Sequence, residues 1–168
     1  CGPFLGALLS LFALRLLREP LLRLRERRTP GLLGLLLSRF AYLDDVLREA
    51  LADGVQSVII LGAGLDSRAY RIPGADAVSV FEIDHPSVQD VKRARLSRHL
   101  GKLPSHVRFV SIDFDTQDIA VELAAASYDP KSRSLFICEG GSHYVSRAAL
   151  EGILRYVGGT AVGNLLFL

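Results

Sequence analysis

The sequence predicts an α/β protein with an open, doubly wound parallel sheet, and three observations indicate it. From residue 40 onward, short β-branched runs alternate with amphipathic stretches, which is the pattern of successive βαβ units. The runs are continuously apolar, as in strands that helices cover on both faces. The chain has 168 residues, 49% hydrophobic and 23% charged, which suits one folded domain and excludes a disordered or collagen-like chain.

A helical arm is predicted over residues 1–38, before a sheet domain at 39–168. Residues 3–14 are almost wholly apolar, and Pro20 interrupts the helical pattern. Twelve apolar residues are too few for a bilayer, which needs about 20, and the positive charges follow the run instead of preceding it as in a secretory signal. Seven arginines and two glutamates lie in residues 1–40, without Lys or interleaved aromatics, so we interpret a solvated helix face and no nucleic-acid site.

The elements of the sheet domain follow in alternating order. A first amphipathic helix over 41–53 places Val46, Leu47 and Ala50 on one face and ends at Gly54. The five predicted strands are 57–64, 78–84, 107–115, 134–140 and 161–168. The further predicted helices are 86–100, 117–126 and 146–157.

Four of these strands end in a glycine or an acid. The pairs, in chain order, are Gly62/Gly64, Glu82/Asp84, Asp113/Asp115 and Glu139/Gly140. Ligands of doubly wound sheets bind outside the carboxyl ends of the strands. Four such ends in succession therefore predict a ligand site there.

The loop after the first strand distinguishes between two ligand classes, dinucleotides and S-adenosylmethionine. A dinucleotide site has a third glycine where this chain has Ser67, and Asp66 precedes it. A carboxylate there would repel a pyrophosphate. We therefore expect a cationic ligand such as S-adenosylmethionine, in a pocket that includes Asp66, and disfavour a nucleotide-dependent oxidoreductase.

Three spaced motifs resemble those of the leucine carboxyl methyltransferase family. They are GAGLDSRAYR at 62–71, FEIDHP at 81–86 and CEG-x-x-x-Y at 138–144. The resemblance runs from about Thr29 to Leu154. It implies a mostly parallel, Rossmann-like methyltransferase sheet, S-adenosyl-L-methionine as cofactor, no metal, and O-methylation of an unknown small-molecule or protein acceptor.

The resemblance also implies roles for residues near the nucleoside part of the cofactor. Asp84 matches the acid that binds the ribose hydroxyls, and Glu82, its neighbour in the motif, is expected to bind the cofactor with it. Asp113 and the backbone of Phe114 match the adenine contact.

For the methionine end and the acceptor, the resemblance implies a further set. Gly62 and Gly64 match the loop beside the methionine, and Glu139 matches the acid near the cofactor amino group. Arg39 matches an arginine that meets the cofactor and substrate carboxylates, and Tyr144 matches a tyrosine close to the substrate. We expect Arg39 and Tyr144 to act in catalysis.

Methyl transfer from a sulfonium depends mainly on alignment of the acceptor with the methyl group. A carboxylate acceptor is already ionised and needs only a cation or hydroxyl to hold it. A hydroxyl acceptor needs a base, for which His85 and His143 are candidates. The two cysteines, Cys1 and Cys138, form no secreted disulfide framework, so we expect a reducing cytoplasm.

The ends of the chain suggest a piece of a longer protein. The sequence contains no Met and begins at Cys1. The family resemblance implies two further antiparallel strands after the fifth, so we expect truncation at the C-terminus. The alternative function is then a non-catalytic cofactor-binding or interaction module.

Overall fold

A computed structural model describes residues 29–140, 145–161 and 165–167. The contacts between residues divide the chain into two units, Cys1–Leu43 and Asp44–Leu168. The predicted boundary between arm and sheet domain, after residue 38, stays a prediction. Within the described residues, no helix combines the length and the apolarity needed to cross a membrane.

Helices and strands alternate along the chain. The helices are α1 (Leu32–Ala52), α2 (Arg68–Arg71), α3 (Pro86–Leu100), α4 (Ile119–Ala125) and α5 (Arg147–Gly158), with a 3₁₀ turn at Ala75–Ala77. The strands are β1 (Ser57–Leu61), β2 (Ser79–Asp84), β3 (Val107–Ser111), β4 (Ser134–Ile137) and β5 (Leu165–Phe167). The predicted helical arm falls largely on residues 1–28, which lie outside the described residues.

The five strands form one parallel sheet in the order β3-β2-β1-β4-β5. Ile59 of β1 pairs with Phe81 on one side and with Phe136 on the other. The strand order therefore reverses at β1, between β2 and β4, and this reversal is the topological switch point of the sheet. The predicted α/β class with a doubly wound parallel sheet is confirmed.

The core lies around the central strands, because every residue of β1 and β4 is buried. Ile59, Phe81 and Phe136 belong to one apolar cluster, in which Tyr128 stands edge-to-face to both aromatic rings at 5.4 and 6.1 Å. Burial of each large apolar side chain contributes about 1.5–3 kcal/mol. The central strands therefore form a rigid base for the loops at their carboxyl ends.

The observed strands are shorter than predicted at those carboxyl ends. β1 ends at Leu61 instead of residue 64, β3 at Ser111 instead of 115, and β4 at Ile137 instead of 140. The residues that follow these three strands belong to turns and loops. These loops carry the predicted ligand residues.

Helix boundaries follow local capping. Asp118 accepts a hydrogen bond from the Ala120 N–H at the start of α4, and Ser146 accepts one from the Ala149 N–H at the start of α5. The predicted first helix at 41–53 starts instead at Leu32, directly after the turn at residues 29–31.

Candidate functional site

A cavity of about 430 Å³ opens at the carboxyl ends of β1, β2, β3 and β4, beside the switch point. Its volume lies in the range of about 300–1,000 Å³ that is typical of small-molecule sites. Six of the residues expected at a cofactor site line it: Gly62, Gly64, Asp84, Asp113, Phe114 and Glu139. The structure therefore brings together acids and glycines from four separate strand ends.

The loop after β1 fixes the carboxylate of Asp84. The Gly64 N–H donates to Asp84 Oδ2 at 2.6 Å, and the His85 N–H donates to Asp84 Oδ1 at 2.7 Å. Gly62 and Gly64 adopt φ values of 66° and 42°, which favour glycine. Each carboxylate oxygen keeps a second lone pair, so Asp84 can also accept hydrogen bonds from a pair of ligand hydroxyls.

The opposite wall combines an acid with apolar side chains. The Asp113 carboxylate accepts the Asp115 N–H at 3.1 Å, and the Asp113 N–H donates to Gln117 Oε1 at 2.9 Å. Phe114 is half-buried and packs against the apolar core. Ile112, Leu150 and Ile153 add further apolar surface. A flat aromatic ring with a polar edge is the ligand group that suits this wall.

Glu139 enters the cavity from the end of β4 and pairs with a buried arginine. Arg68 Nη2 lies 2.8 Å from Glu139 Oε2, Arg68 Nη1 donates to Asp66 Oδ2 at 2.5 Å, and Arg68 Nε donates to Asp44 Oδ1 at 3.0 Å. The side chain of Arg68 is only 2% exposed. Burial alone would lower the pKa of Arg68, but the neighbouring charges of Asp66 and Glu139 raise it above its ordinary value.

Arg71 joins this cluster through Asp44. Its guanidinium donates to both carboxylate oxygens of Asp44, at 2.5 and 2.7 Å. The hydrogen bond from Arg71 holds the pKa of Asp44 below its ordinary value, against the opposing effect of burial. Asp44, which is typical of a first-turn helix acid by sequence, therefore lies inside α1 as a buried anion that pairs with Arg68, Arg71 and, at 4.0 Å, Arg48.

Asp66 is a correction to the predicted pocket. The sequence places its carboxylate in the ligand site, but Asp66 does not line the cavity. It accepts hydrogen bonds from the backbone N–H and from the guanidinium of Arg68. Its charge is used to stabilise a buried cation and is not presented to a ligand.

Glu82 lies two positions before Asp84 but is not among the residues that line the cavity. It is 0% exposed, lies 2.8 Å from Lys92 Nζ and accepts a hydrogen bond from the Tyr70 hydroxyl at 2.9 Å. Burial raises the pKa of Glu82, and the charge of Lys92 opposes that rise. The predicted cofactor contact of Glu82 stays a prediction.

Comparison with known proteins decides the family. The sequence model of the family described as leucine carboxyl methyltransferase matches residues 10–158. The chain belongs to the leucine carboxyl methyltransferase family. The matched residues include most of both units and all four polar strand ends that line the cavity.

Curated relatives in this family are longer than the chain. A Mycobacterium bovis BCG protein, named as a candidate S-adenosyl-L-methionine-dependent methyltransferase, is 39% identical over 114 residues. Those residues are 68% of this chain and 37% of that protein. A similarly named protein of Mycolicibacterium smegmatis is 40% identical over 114 residues, which are 68% of this chain and 38% of the relative. The chain therefore spans less than two thirds of the length of these relatives.

Solved structures give weaker likenesses. The S-adenosylmethionine-dependent methyltransferase SibL, in its apo form, is 19% identical, with a TM-score of 0.46 over 82% of this chain and 38% of that one. An O-methyltransferase family protein from Burkholderia thailandensis is 18% identical, with a TM-score of 0.47 over 72% of this chain and 34% of that one. At these scores the likenesses carry no argument about the site.

Neither of the two residues that membership of the leucine carboxyl methyltransferase family suggests for catalysis belongs to the described residues of the second unit. Arg39 is an exposed residue of α1 in the first unit, and Tyr144 and the candidate base His143 lie outside the described residues. His85 does line the cavity, and its ring contacts Ser87 Oγ at 2.8 Å. The roles of Arg39 and Tyr144 stay predictions.

One feature of the site has no signal in the sequence: Asp44 and Arg68 are 24 positions apart, and no local pattern predicts that they pair. Cys138 follows an apolar run that predicts a buried thiol, and it is buried and also lines the cavity. In the part of the chain that the structure describes, no group of three or more His, Cys, Asp or Glu side chains could hold a metal ion.

Proposed function

We propose that this chain carries the S-adenosyl-L-methionine site of an O-methyltransferase. The observation that supports it most directly is the Asp84 carboxylate, which two backbone N–H groups orient at the mouth of a cavity with apolar walls. The names of the curated relatives support the same cofactor. When bound, that cofactor supplies an electrophilic methyl group.

The residues of the cavity fit the three chemical parts of such a cofactor. Asp84 accepts from a pair of ribose hydroxyls, and the wall at Asp113 and Phe114 receives an aromatic base. Glu139 attracts an ammonium group, while the glycines at 62 and 64 let the backbone come close to the ligand. The charged side chains of this cavity are mainly carboxylates, so the cavity suits a cationic ligand better than a pyrophosphate.

The acceptor in this proposal is a carboxylate or hydroxyl of a small molecule or a protein. Arg39 and Tyr144 would hold a carboxylate, which needs no base because it is already ionised. A hydroxyl acceptor would use a histidine such as His85 to take its proton. We propose a reducing cytoplasm as the location, because the two cysteines of the sequence, Cys1 and Cys138, make no disulfide framework of the secreted kind.

Calorimetric titration with S-adenosylhomocysteine tests the cofactor site. We expect Asp84→Asn to weaken binding about 10- to 100-fold, because a charge-assisted acceptor for the ribose hydroxyls is lost. Asp90→Asn is the matched control, since Asp90 is exposed on α3 and does not line the cavity. Absence of binding to the folded wild-type chain, or equal affinity of the Asp84→Asn variant, would reject the proposal; NADH binding in its place would favour an oxidoreductase.

A further inference from the structure

Arg68 contacts three separate parts of the fold through one buried guanidinium. Its nitrogens reach Asp44 in α1, Asp66 in the loop after β1, and Glu139 at the end of β4. Of these three carboxylates, only Glu139 lines the cavity. The ion pair with Glu139 therefore connects the cavity wall to a charged cluster behind it.

Arg68 is itself held in one position. Its backbone N–H donates to Asp66 Oδ1 at 2.7 Å, while its side chain donates to the other oxygen of the same carboxylate. Asp44 is fixed in turn by both terminal nitrogens of Arg71. A planar guanidinium with several fixed partners has little freedom to rotate, in contrast to the flexible ammonium of a lysine. A glutamate paired with it is restricted in the same way.

We infer that Arg68 is a positioning residue, which fixes Glu139 for a primary ammonium group of the ligand. The inference rests on the proposed function and deepens it, because it concerns the amino-acid end of the cofactor alone. Arg68 does not line the cavity, so its effect reaches the ligand through Glu139. A ligand that lacks the ammonium group should be indifferent to Arg68.

Two ligands separate this role from a general effect on folding. S-adenosylhomocysteine has the amino-acid end, and 5′-methylthioadenosine has the same nucleoside without it. For Arg68→Lys we expect the Kd of S-adenosylhomocysteine to rise about 10-fold, since a lysine cannot reach three carboxylates at once. The Kd of methylthioadenosine should change less than about 2-fold. Arg147→Lys is the control, because Arg147 is an exposed arginine that pairs with Glu151 and does not line the cavity.

A second variant keeps the test decisive if Arg68→Lys folds poorly. Glu139→Gln should also raise the Kd of S-adenosylhomocysteine and leave that of methylthioadenosine nearly unchanged. In the double variant, the fold-increase in the Kd of S-adenosylhomocysteine should be smaller than the product of the fold-increases in the two single variants. Equal weakening of both ligands by Arg68→Lys, or additive losses in the double variant, would overturn the positioning role. A folded wild-type chain that binds neither ligand would instead reject the proposed function, and this inference with it.

Discussion

Glu82 and Asp84 stand two positions apart on β2 and share a face of the sheet, yet their environments are opposite. Glu82 is fully buried against Lys92 and Tyr70, whereas Asp84 is half-buried and lines the cavity. The difference is one of position along the strand. The last residue of β2 reaches the open edge, and the residue two places earlier lies beneath side chains that seal it from solvent.

Helix α3 supplies most of that seal. Lys92 pairs with Glu82 and donates to the Ala63 carbonyl at 3.3 Å, and Gln89 donates to the carbonyls of Glu82 and Val110. The carboxylate of Glu82 is therefore occupied inside the fold, while that of Asp84, at the end of β2, is available to a ligand.

The largest effect that would test this comparison is expected from Lys92→Met. The substitution leaves the Glu82 carboxylate buried without its cation, so we expect the free energy of unfolding to fall by about 3–5 kcal/mol. Urea unfolding followed by circular dichroism measures the loss. Lys102→Met, at an exposed lysine, should change the stability by less than about 0.5 kcal/mol.

The double variant Glu82→Gln/Lys92→Met sharpens the same point. Removal of both charges together should recover much of the stability, because no unpaired buried charge is left. If the double variant loses as much free energy of unfolding as Lys92→Met alone, Lys92 does not stabilise the fold by pairing with the charge of Glu82.

A smaller loss of stability is expected from Tyr70→Phe. The tyrosine hydroxyl donates to Glu82, and a hydrogen bond to a buried charge contributes about 1.5–3 kcal/mol. The phenylalanine ring keeps the packing and removes only that bond. Thermal or urea unfolding gives the stability change, while titration with S-adenosylhomocysteine should show an unchanged Kd, because Tyr70 does not line the cavity. Weakened binding with unchanged stability would assign Glu82 to the site after all.

The smallest effect is a difference in pH dependence between two acids. Burial raises the pKa of Glu82, so its stabilising contribution is present below the ordinary carboxyl pKa and is lost as the pH rises through the folded value. The hydrogen bond from Arg71 lowers the pKa of Asp44, so its contribution is present above its ordinary value of 3.8 and is lost as the pH falls through the folded value.

Urea unfolding of two variants over a pH series tests these signs. Glu82→Gln should remove part of the decline in stability above about pH 4.5, near the ordinary carboxyl pKa. Asp44→Asn should remove part of the decline at acid pH. Curves that run parallel to that of the wild type in both variants would contradict the assignment.

The order of the elements and most of the cavity wall could be predicted from the sequence. Apolar runs and helical periodicity are local signals, and the glycines and acids that end them lie together because parallel strands end at one edge. Strand ends were predicted up to four residues too long, because Asp113 and Glu139 follow the apolar runs along the chain but lie beyond the last paired residues, Ser111 and Ile137.

Other features depend on contacts that no local pattern encodes. The pairing of Arg68 with Asp44 joins positions far apart in the sequence, and the burial of Glu82 follows from where α3 lies. Alternation along a strand gives the face that a side chain occupies. It does not show how far along the strand the covering helix, here α3, shields the side chains from solvent.

The loop between Gly62 and Gly64 has a consequence for the entropy of binding. Its middle residue, Ala63, is buried; its N–H donates to the Ile83 carbonyl at 3.0 Å, and its own carbonyl accepts from Lys92 and from the Asp66 N–H. Fixing a backbone residue costs about 1–2 kcal/mol of conformational entropy. Since this residue is already ordered by the fold, a ligand that docks on the loop loses little additional chain freedom there, and more of its contact energy is retained as affinity.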